Sequence, residues 1–298
     1  MRALIRKITP DFILESYRKY KRKQQRAQLL KQKEAGTIHT KESLKKELIG
    51  IGIKKGDTLL VHSALSKIGY VDGGPKSVVE ALKGAVGETG HLLMPTSPNA
   101  AYQLEYIKDL DFFDVADAPS KLGAITEYFR KDPETIRSWH PTEPVSCLGP
   151  NAKFFVGDHF GEITPYTEKS PFARVAQKKG KILMIGVTLD NAGTNLHVLE
   201  DAIPDFKFPV YYPEAFEVSI KAPDGSMHKM QTKVHDPIWS KKRKCDQLIP
   251  LFEKQDALIQ TKIGNAPTLL IDADKMLKVM LEHYKKNGVT MYTPLGSN

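Results

Sequence analysis

From residue 57 onward, apolar residues gather in short unbroken runs instead of alternating with polar ones. Leu59, Leu60 and Val61 form one run, Leu92 to Met94 a second, and Ile182 to Ile185 a third. Short runs bounded by glycine or proline predict strands buried on both faces. The expected strands are 57–62, 91–95, stopped by Pro95, and 180–186. Helical patterns lie between them. Thr40 is a plausible N-cap for a helix reaching Gly50 or Gly52, and Gly74 and Pro75 open a helix over 76–86. Residues 122–130 and 195–202 complete the series. Strand–helix alternation of this kind predicts an α/β fold with a buried central sheet flanked by helices.

Three segments depart from that rhythm. Residues 205–260 carry apolar and aromatic residues around Phe208, Tyr211 and Phe216, with a Pro-Asp-Gly turn at 223–225. They read as a smaller β-rich inserted subdomain. Residues 269–286, with Leu269, Leu270, Met276, Leu277, Val279, Met280 and Tyr284, read as a helix. Residues 1–36 form a basic amphipathic arm, in which Ile8, Phe12, Ile13, Leu14, Tyr17 and Tyr20 give way to a Lys/Arg/Gln-rich stretch. Such a helix suits a membrane surface or a partner, and equally suits packing on its own domain or on a second copy in a homodimer. The expected organisation is therefore an arm at 1–36 and a single domain at 37–298.

Composition changes this picture little. The 298 residues are 41% hydrophobic and 27% charged, a globular balance. No apolar run approaches the roughly 20 residues that cross a bilayer, and a secretory h-region is lacking. Cys147 and Cys245 stand far apart, which fits a reducing compartment. A cytoplasmic location is expected, at the inner membrane face if the arm binds lipid. The net charge of +9 suggests nucleic acid until it is located: eleven Lys/Arg and three acidic residues fall within 1–35, leaving the rest at +1. The basic charge belongs to the arm, and no nucleic-acid partner is expected.

Three stretches carry candidate chemistry. After the first strand, Ser63 and Ser66 precede Gly73 and Gly74, a junction of hydroxyls and backbone N–H groups suited to an anionic or amide-rich ligand. It matches neither GxGxxG nor a P-loop, and tight turns explain most such glycines. Residues 137–149 crowd Arg137, Ser138 and His140 into an irregular stretch; His140 is either a base or a structural histidine bonded within the loop. The third stretch begins at Asp190. With a helix starting near Thr194, His197 and Glu200 share one face, three residues apart. The carboxylate can fix the imidazole tautomer and leave the other ring nitrogen free to take a proton. A surface histidine with an incidental ion pair fits that spacing equally well. Nine scattered histidines without HExxH or CxxC give no expectation of a metal, and the lack of GxSxG disfavours a serine hydrolase.

Taken in order, LLVHSALSKIGYVDGG (59–74), HLLMPTS (91–97), 121–149, SPF (170–172), KILMIGV (181–187), GTNLHVLEDAIP (193–204) and KIGNAPTLLIDADKML (262–277) resemble the antibiotic N-acetyltransferase family. Its best-known members are the aminoglycoside 3-N-acetyltransferases. The likeness is colinear over about residues 40–285. It implies an α/β fold distinct from the GNAT acetyltransferases and direct acetyl transfer from acetyl-CoA to an amine. By the same likeness, His197 corresponds to the general base and Glu200 to its carboxylate. Ser63, Ser66, Gly73, Gly74, Thr96 and Ser97 correspond to the coenzyme side. Arg137, Ser138, His140, Asp190 and Thr194 correspond to the acceptor side, with the 137–141 loop lining the cleft and the 205–260 insert as an acceptor-side subdomain.

Two acceptors fit. The basic arm resembles leaders on enzymes of surface-polysaccharide assembly, which suggests a nucleotide- or lipid-linked amino sugar. The alternative is an aminoglycoside and a role in antibiotic resistance. A polycationic drug calls for converging carboxylates, for which Glu105, Asp109, Asp190, Asp201 and Asp205 are available. A third reading, a binding protein with an inactive acetyltransferase body, rests on the arm alone.

Overall fold

The computed structural model describes residues 11–100 and 102–296. Its strands run, in chain order, β1 (Ile38–His39), β2 (Thr58–Ser63), β3 (Tyr70–Val71), β4 (His91–Pro95), β5 (Phe112–Asp114), β6 (Ile136–Arg137), β7 (Val145–Leu148), β8 (Lys181–Ile185), β9 (Phe216–Lys221), β10 (Met227–Thr232), β11 (Leu258–Ile263) and β12 (Ala266–Asp272). Seven of them form one mixed sheet in the order β11-β12-β8-β2-β4-β7-β6. The centre is parallel: Leu60 pairs with Ile182 on one side and Leu93 on the other. Antiparallel neighbours extend both edges.

The three parallel strands are the three that the apolar runs predict. Alternation along them feeds two separate cores, because successive side chains point to opposite faces. Leu60, Ile182 and Met184 join one cluster, with Phe172 and Val175 from helix Pro171–Gln177 and Met276 and Met280 from helix Ala273–Asn287. Leu59, Val61, Leu183 and Ile185 join the other, under helices Lys41–Gly50, Pro75–Val86 and Ala124–Arg130. The expected α/β architecture, a central sheet with helices on both faces, is the observed one. Thr40 caps its helix as predicted: its Oγ1 accepts from Ser43 N at 3.1 Å while Ser43 Oγ accepts from Thr40 N at 2.9 Å.

Elsewhere the pattern misleads. Residues 269–272, expected as helix, belong to β12. Leu269, Leu270 and Ile271 are a buried run that fits either element, and the helix begins only after Asp272, whose side chain accepts from Lys275 N. Residues 195–202 form a 3-10 turn at Thr194–His197 followed by a short α-turn at Val198–Asp201. The 205–260 segment divides. Around Phe208 only an isolated bridge, Tyr211 to His235, is present. β9 and β10 make a hairpin through the Pro-Asp-Gly turn, where Gly225 has φ of +85°. β5 joins β9 in parallel over a third core built on Phe113, Ile220 and Met230. β11 joins the main sheet.

Of the arm, residues 1–10 lie outside the described residues, Ile8 among them. Residues Asp11–Glu34 are one helix. Gln32 Oε1 accepts from Tyr70 N at 3.0 Å and Lys33 lies over the Tyr70 ring, which ties the end of the helix to the body. Ile13, Tyr17 and Tyr20 are exposed. Among the described residues no helix is long and apolar enough to cross a membrane.

Phe172 sits fully buried where the helical face meets Tyr166, at 5.3 Å between ring centroids. Phe172→Ala is expected to lower unfolding free energy by about 3–5 kcal/mol, read from urea denaturation; a loss below 1 kcal/mol would show that this core does not anchor the site.

Candidate active site

In open α/β sheets, ligands bind beyond the carboxyl ends of the parallel strands. Here β2 ends at His62 and Ser63, β4 at Pro95, and β8 runs into Val187. These residues line a cavity of about 290 Å³ together with Glu143, Tyr166, Asp190, Thr194, His197, His235 and Arg243.

Glu200 lies behind the cavity wall, fully buried. Oε2 contacts His197 Nδ1 at 3.0 Å and His235 Nε2 at 2.7 Å, and Oε1 accepts from the Tyr292 hydroxyl at 2.6 Å. Burial alone would raise its pKa, but the two imidazoles outweigh that and hold it well below the usual carboxylate range. An ionised carboxylate only accepts, so both facing ring nitrogens carry the hydrogen. On the other side of the His197 ring, Arg243 Nη1 stands 2.5 Å from Nε2. A guanidinium only donates, so Nε2 holds a lone pair. His197 is thereby a neutral Nδ1–H tautomer with its basic nitrogen turned to the cavity. Burial pushes its pKa down to about 4, with Glu200 opposing and His235 and Arg243 adding to the shift. Tyr166 packs at a tilt against both imidazoles, its ring centroid 4.9 Å from that of His197 and 5.4 Å from that of His235.

His197, Glu200 and His235 are ligand types within reach of one cation. Separations of 2.7 and 3.0 Å are those of N–H···O bonds, with the hydrogens directed at the oxygen that a cation would need. The chemistry available is proton transfer at Nε2.

The other predicted residues divide. Ser63, Asp190 and Thr194 line the cavity. Ser63 Oγ is buried without a hydrogen-bond partner, and Thr194 Oγ1 lies 3.3 Å from His62 Nε2. Burial pushes the His62 pKa down to about 4. Ser66 is exposed on the helical turn Leu65–Ile68. Gly73 and Gly74, both with positive φ, form the tight turn before Pro75. The Thr96 hydroxyl is engaged by Pro144 O and Ser146, and the Ser97 hydroxyl donates to Thr142 O at 2.7 Å. None of these five lines the cavity.

The 137–141 loop does not line it either. Arg137 is a buried strut whose Nη1 donates to Val115 O and Ala118 O and whose Nη2 donates to Thr96 O. Ser138 accepts from Val145 N and meets His159. His140 lies between Thr142 and Thr232, stacked on His159, its pKa held far down by burial. Apart from Arg137 Nε, which is buried without a partner, these polar groups are hydrogen-bonded within the wall that carries Glu143. Glu143 does face the cavity, held by the Gln103 amide at 2.7 Å. Of the acids named for a polycationic acceptor, only Asp190 lines the cavity. Asp201 accepts from Thr164 and Tyr211 instead.

The sequence model described as aminoglycoside 3-N-acetyltransferase matches residues 60–285. The chain belongs to that antibiotic N-acetyltransferase family. It is 32% identical over 179 residues to aminoglycoside N(3)-acetyltransferase VIII of Streptomyces fradiae, an alignment covering 56% of this chain and 62% of that relative. The chain thus spans about three fifths of that curated relative's length. Among solved structures, AAC-IIIb in a binary complex with CoASH aligns with TM-score 0.70 and 26% identity, covering 84% of this chain and 97% of that one. AAC-VIa bound to sisomicin aligns with TM-score 0.69 and 26% identity, over 83% and 97%. The expected family is therefore the observed one.

His235, Tyr292, Arg243, Glu143 and Tyr166 are not among the residues expected from sequence. The run of basic residues at 241–244 is the one local signal among them, and it reads as a solvated face.

His62, His140, His159 and His197 all have folded pKa values below the ordinary 6.5. Stability is therefore full above about pH 6.5 and is lost as pH falls towards 4, because the unfolded chain takes up protons that the native one refuses. Glu143 and Asp201, raised by burial, act in the opposite sense but are fewer. The urea midpoint is expected to fall steadily from about pH 7 to about pH 4.5; an unchanged midpoint would mean that these histidines are hydrated.

Proposed function

We propose that this protein is an acetyl-CoA-dependent N-acetyltransferase acting on a primary amine of an amino sugar. One observation carries the reading: a neutral imidazole, fixed by a buried carboxylate, presents a basic nitrogen to a cavity at the carboxyl ends of the parallel strands. Amine acylation needs such a group. The acceptor sheds one proton to become a free amine, whose lone pair attacks the thioester carbonyl carbon. As the C–S bond breaks, His197 Nε2 takes the second amine proton and passes it to the departing sulfur, giving amide and free thiol. Glu200 keeps Nδ1 protonated and favours the imidazolium that forms transiently. The orphaned hydroxyl of Ser63 at the end of β2 fits a polar group of the coenzyme or acceptor.

Aminoglycosides are the acceptors favoured by the relatives' names and by the sisomicin complex of AAC-VIa. Surface-polysaccharide synthesis rests on the basic arm alone. Purified protein supplied with acetyl-CoA should release thiol with at least one member of a panel of aminoglycosides and amino-sugar derivatives. Release with none of them would refute the reading. His197→Ala should lower kcat by about 10²–10⁴-fold with acetyl-CoA binding retained, and Glu200→Gln should lower kcat with folding intact. A His197→Ala enzyme turning over near the wild-type rate would remove the histidine from the mechanism.

Ile13, Tyr17 and Tyr20, exposed on a basic helix, support peripheral association with an anionic membrane. The full chain should co-sediment with phosphatidylserine vesicles, and deletion of 1–36 should abolish this while acetyl transfer persists. Equal sedimentation of both forms would exclude the arm as a tether.

A further inference from the structure

Acyl transfer does not by itself account for Arg243. Its Nη1 occupies the lone pair of His197 that an acceptor amine has to reach, at 2.5 Å. Its Nε donates to Ser240 O at 3.1 Å, and no carboxylate among the described residues forms an ion pair with it. A guanidinium is a cation, so an acceptor arriving as an ammonium meets a like charge at the base. The side chain is half-buried and lines the cavity. Lys241, Lys242 and Lys244, its neighbours in sequence, are exposed, and Lys241 lies 5.4 Å from the centroid of Tyr102, a cavity residue. The cavity carboxylates make other hydrogen bonds: Glu143 accepts from the Gln103 amide at 2.7 Å, although the charge of Arg243 also favours its ionised form, and Asp190 accepts from the backbone of Asp246 at 3.1 Å.

Building on the acetyltransferase reading, we propose that Arg243 selects an amino-sugar acceptor carrying a phosphate or carboxylate close to the reacting amine. The anion draws the guanidinium off Nε2, frees the lone pair, and orients the sugar by a bidentate pair of the kind guanidinium forms with phosphate. The phosphates of acetyl-CoA lie at the far end of its pantetheine arm, remote from the thioester, so the anion met at the base is the acceptor's. A polycationic acceptor brings nothing to pair with this wall and adds repulsion.

The test compares glucosamine 1-phosphate with glucosamine, by kcat/KM with acetyl-CoA and by calorimetric binding in the presence of CoA. Wild type is expected to favour the phosphorylated sugar by about tenfold or more. Arg243→Gln should bring that ratio near one, and Arg243→Lys should restore part of it. A wild-type ratio near one, a ratio unchanged in Arg243→Gln, or gentamicin outperforming both sugars would overturn the proposal. So would weaker acetyl-CoA binding in Arg243→Gln with the acceptor ratio intact, since that assigns the guanidinium to the coenzyme phosphates. Absence of thiol release with every amine would instead count against the acetyltransferase reading, and the binding ratio would still report on Arg243.

Discussion

The site is organised around a buried carboxylate that cannot be left unpaired. Stripping an ionised carboxyl of water is costly unless hydrogen bonds replace the hydration. Glu200 meets that demand with three donors from three parts of the chain: His197 in the preceding turn, His235 beyond β10, and Tyr292 near the C-terminus. Each bond fixes an element as well as a charge. Together they pin the end of the small sheet and the C-terminal segment to the wall of the cavity. They also determine which ring nitrogen of His197 remains basic.

The larger framework gives that cluster its location. Three parallel strands, apolar on both faces, end at one level, and polar residues take over where Ser63, Pro95 and Val187 leave the sheet. Gly193 ends the short helix Leu189–Ala192 before a tight 3-10 turn delivers His197. In such a turn residues three apart come nearly into line, and the α-turn that follows places Glu200 behind His197 and away from the cavity. His235 and Arg243 come from the segment after β10 and line the same cavity as the end of β2.

Charge is arranged in sequence across the wall: a carboxylate, a neutral imidazole, then a guanidinium. The carboxylate remains ionised deep in the protein because His197 and His235 both donate to it. Arg243 leaves Nε2 of His197 occupied. On the proposed reading, an anionic group on the acceptor gives Arg243 an electrostatic reason to leave.

Much of this was legible in the linear sequence, and the remainder was not, for a physical reason. Apolar runs and their period report how each segment is buried, and burial is a local demand; hence β2, β4 and β8, the Thr40 cap and the helix over 75–86 follow from short stretches. The same period could not separate strand from helix at Leu269–Ile271, where both are buried. The His197–Glu200 contact was within reach because three residues of chain enforce it. Its role was not, since an exposed pair would have the same spacing. Arg137, Ser138 and His140 have the composition of a site and the position of a strut, and only packing distinguishes the two. His235, Tyr292 and Arg243 converge on one imidazole–carboxylate pair from 35 to 92 residues away. Sequence set the strands and the pair; strand order, which no local pattern encodes, decided which distant donors would surround it.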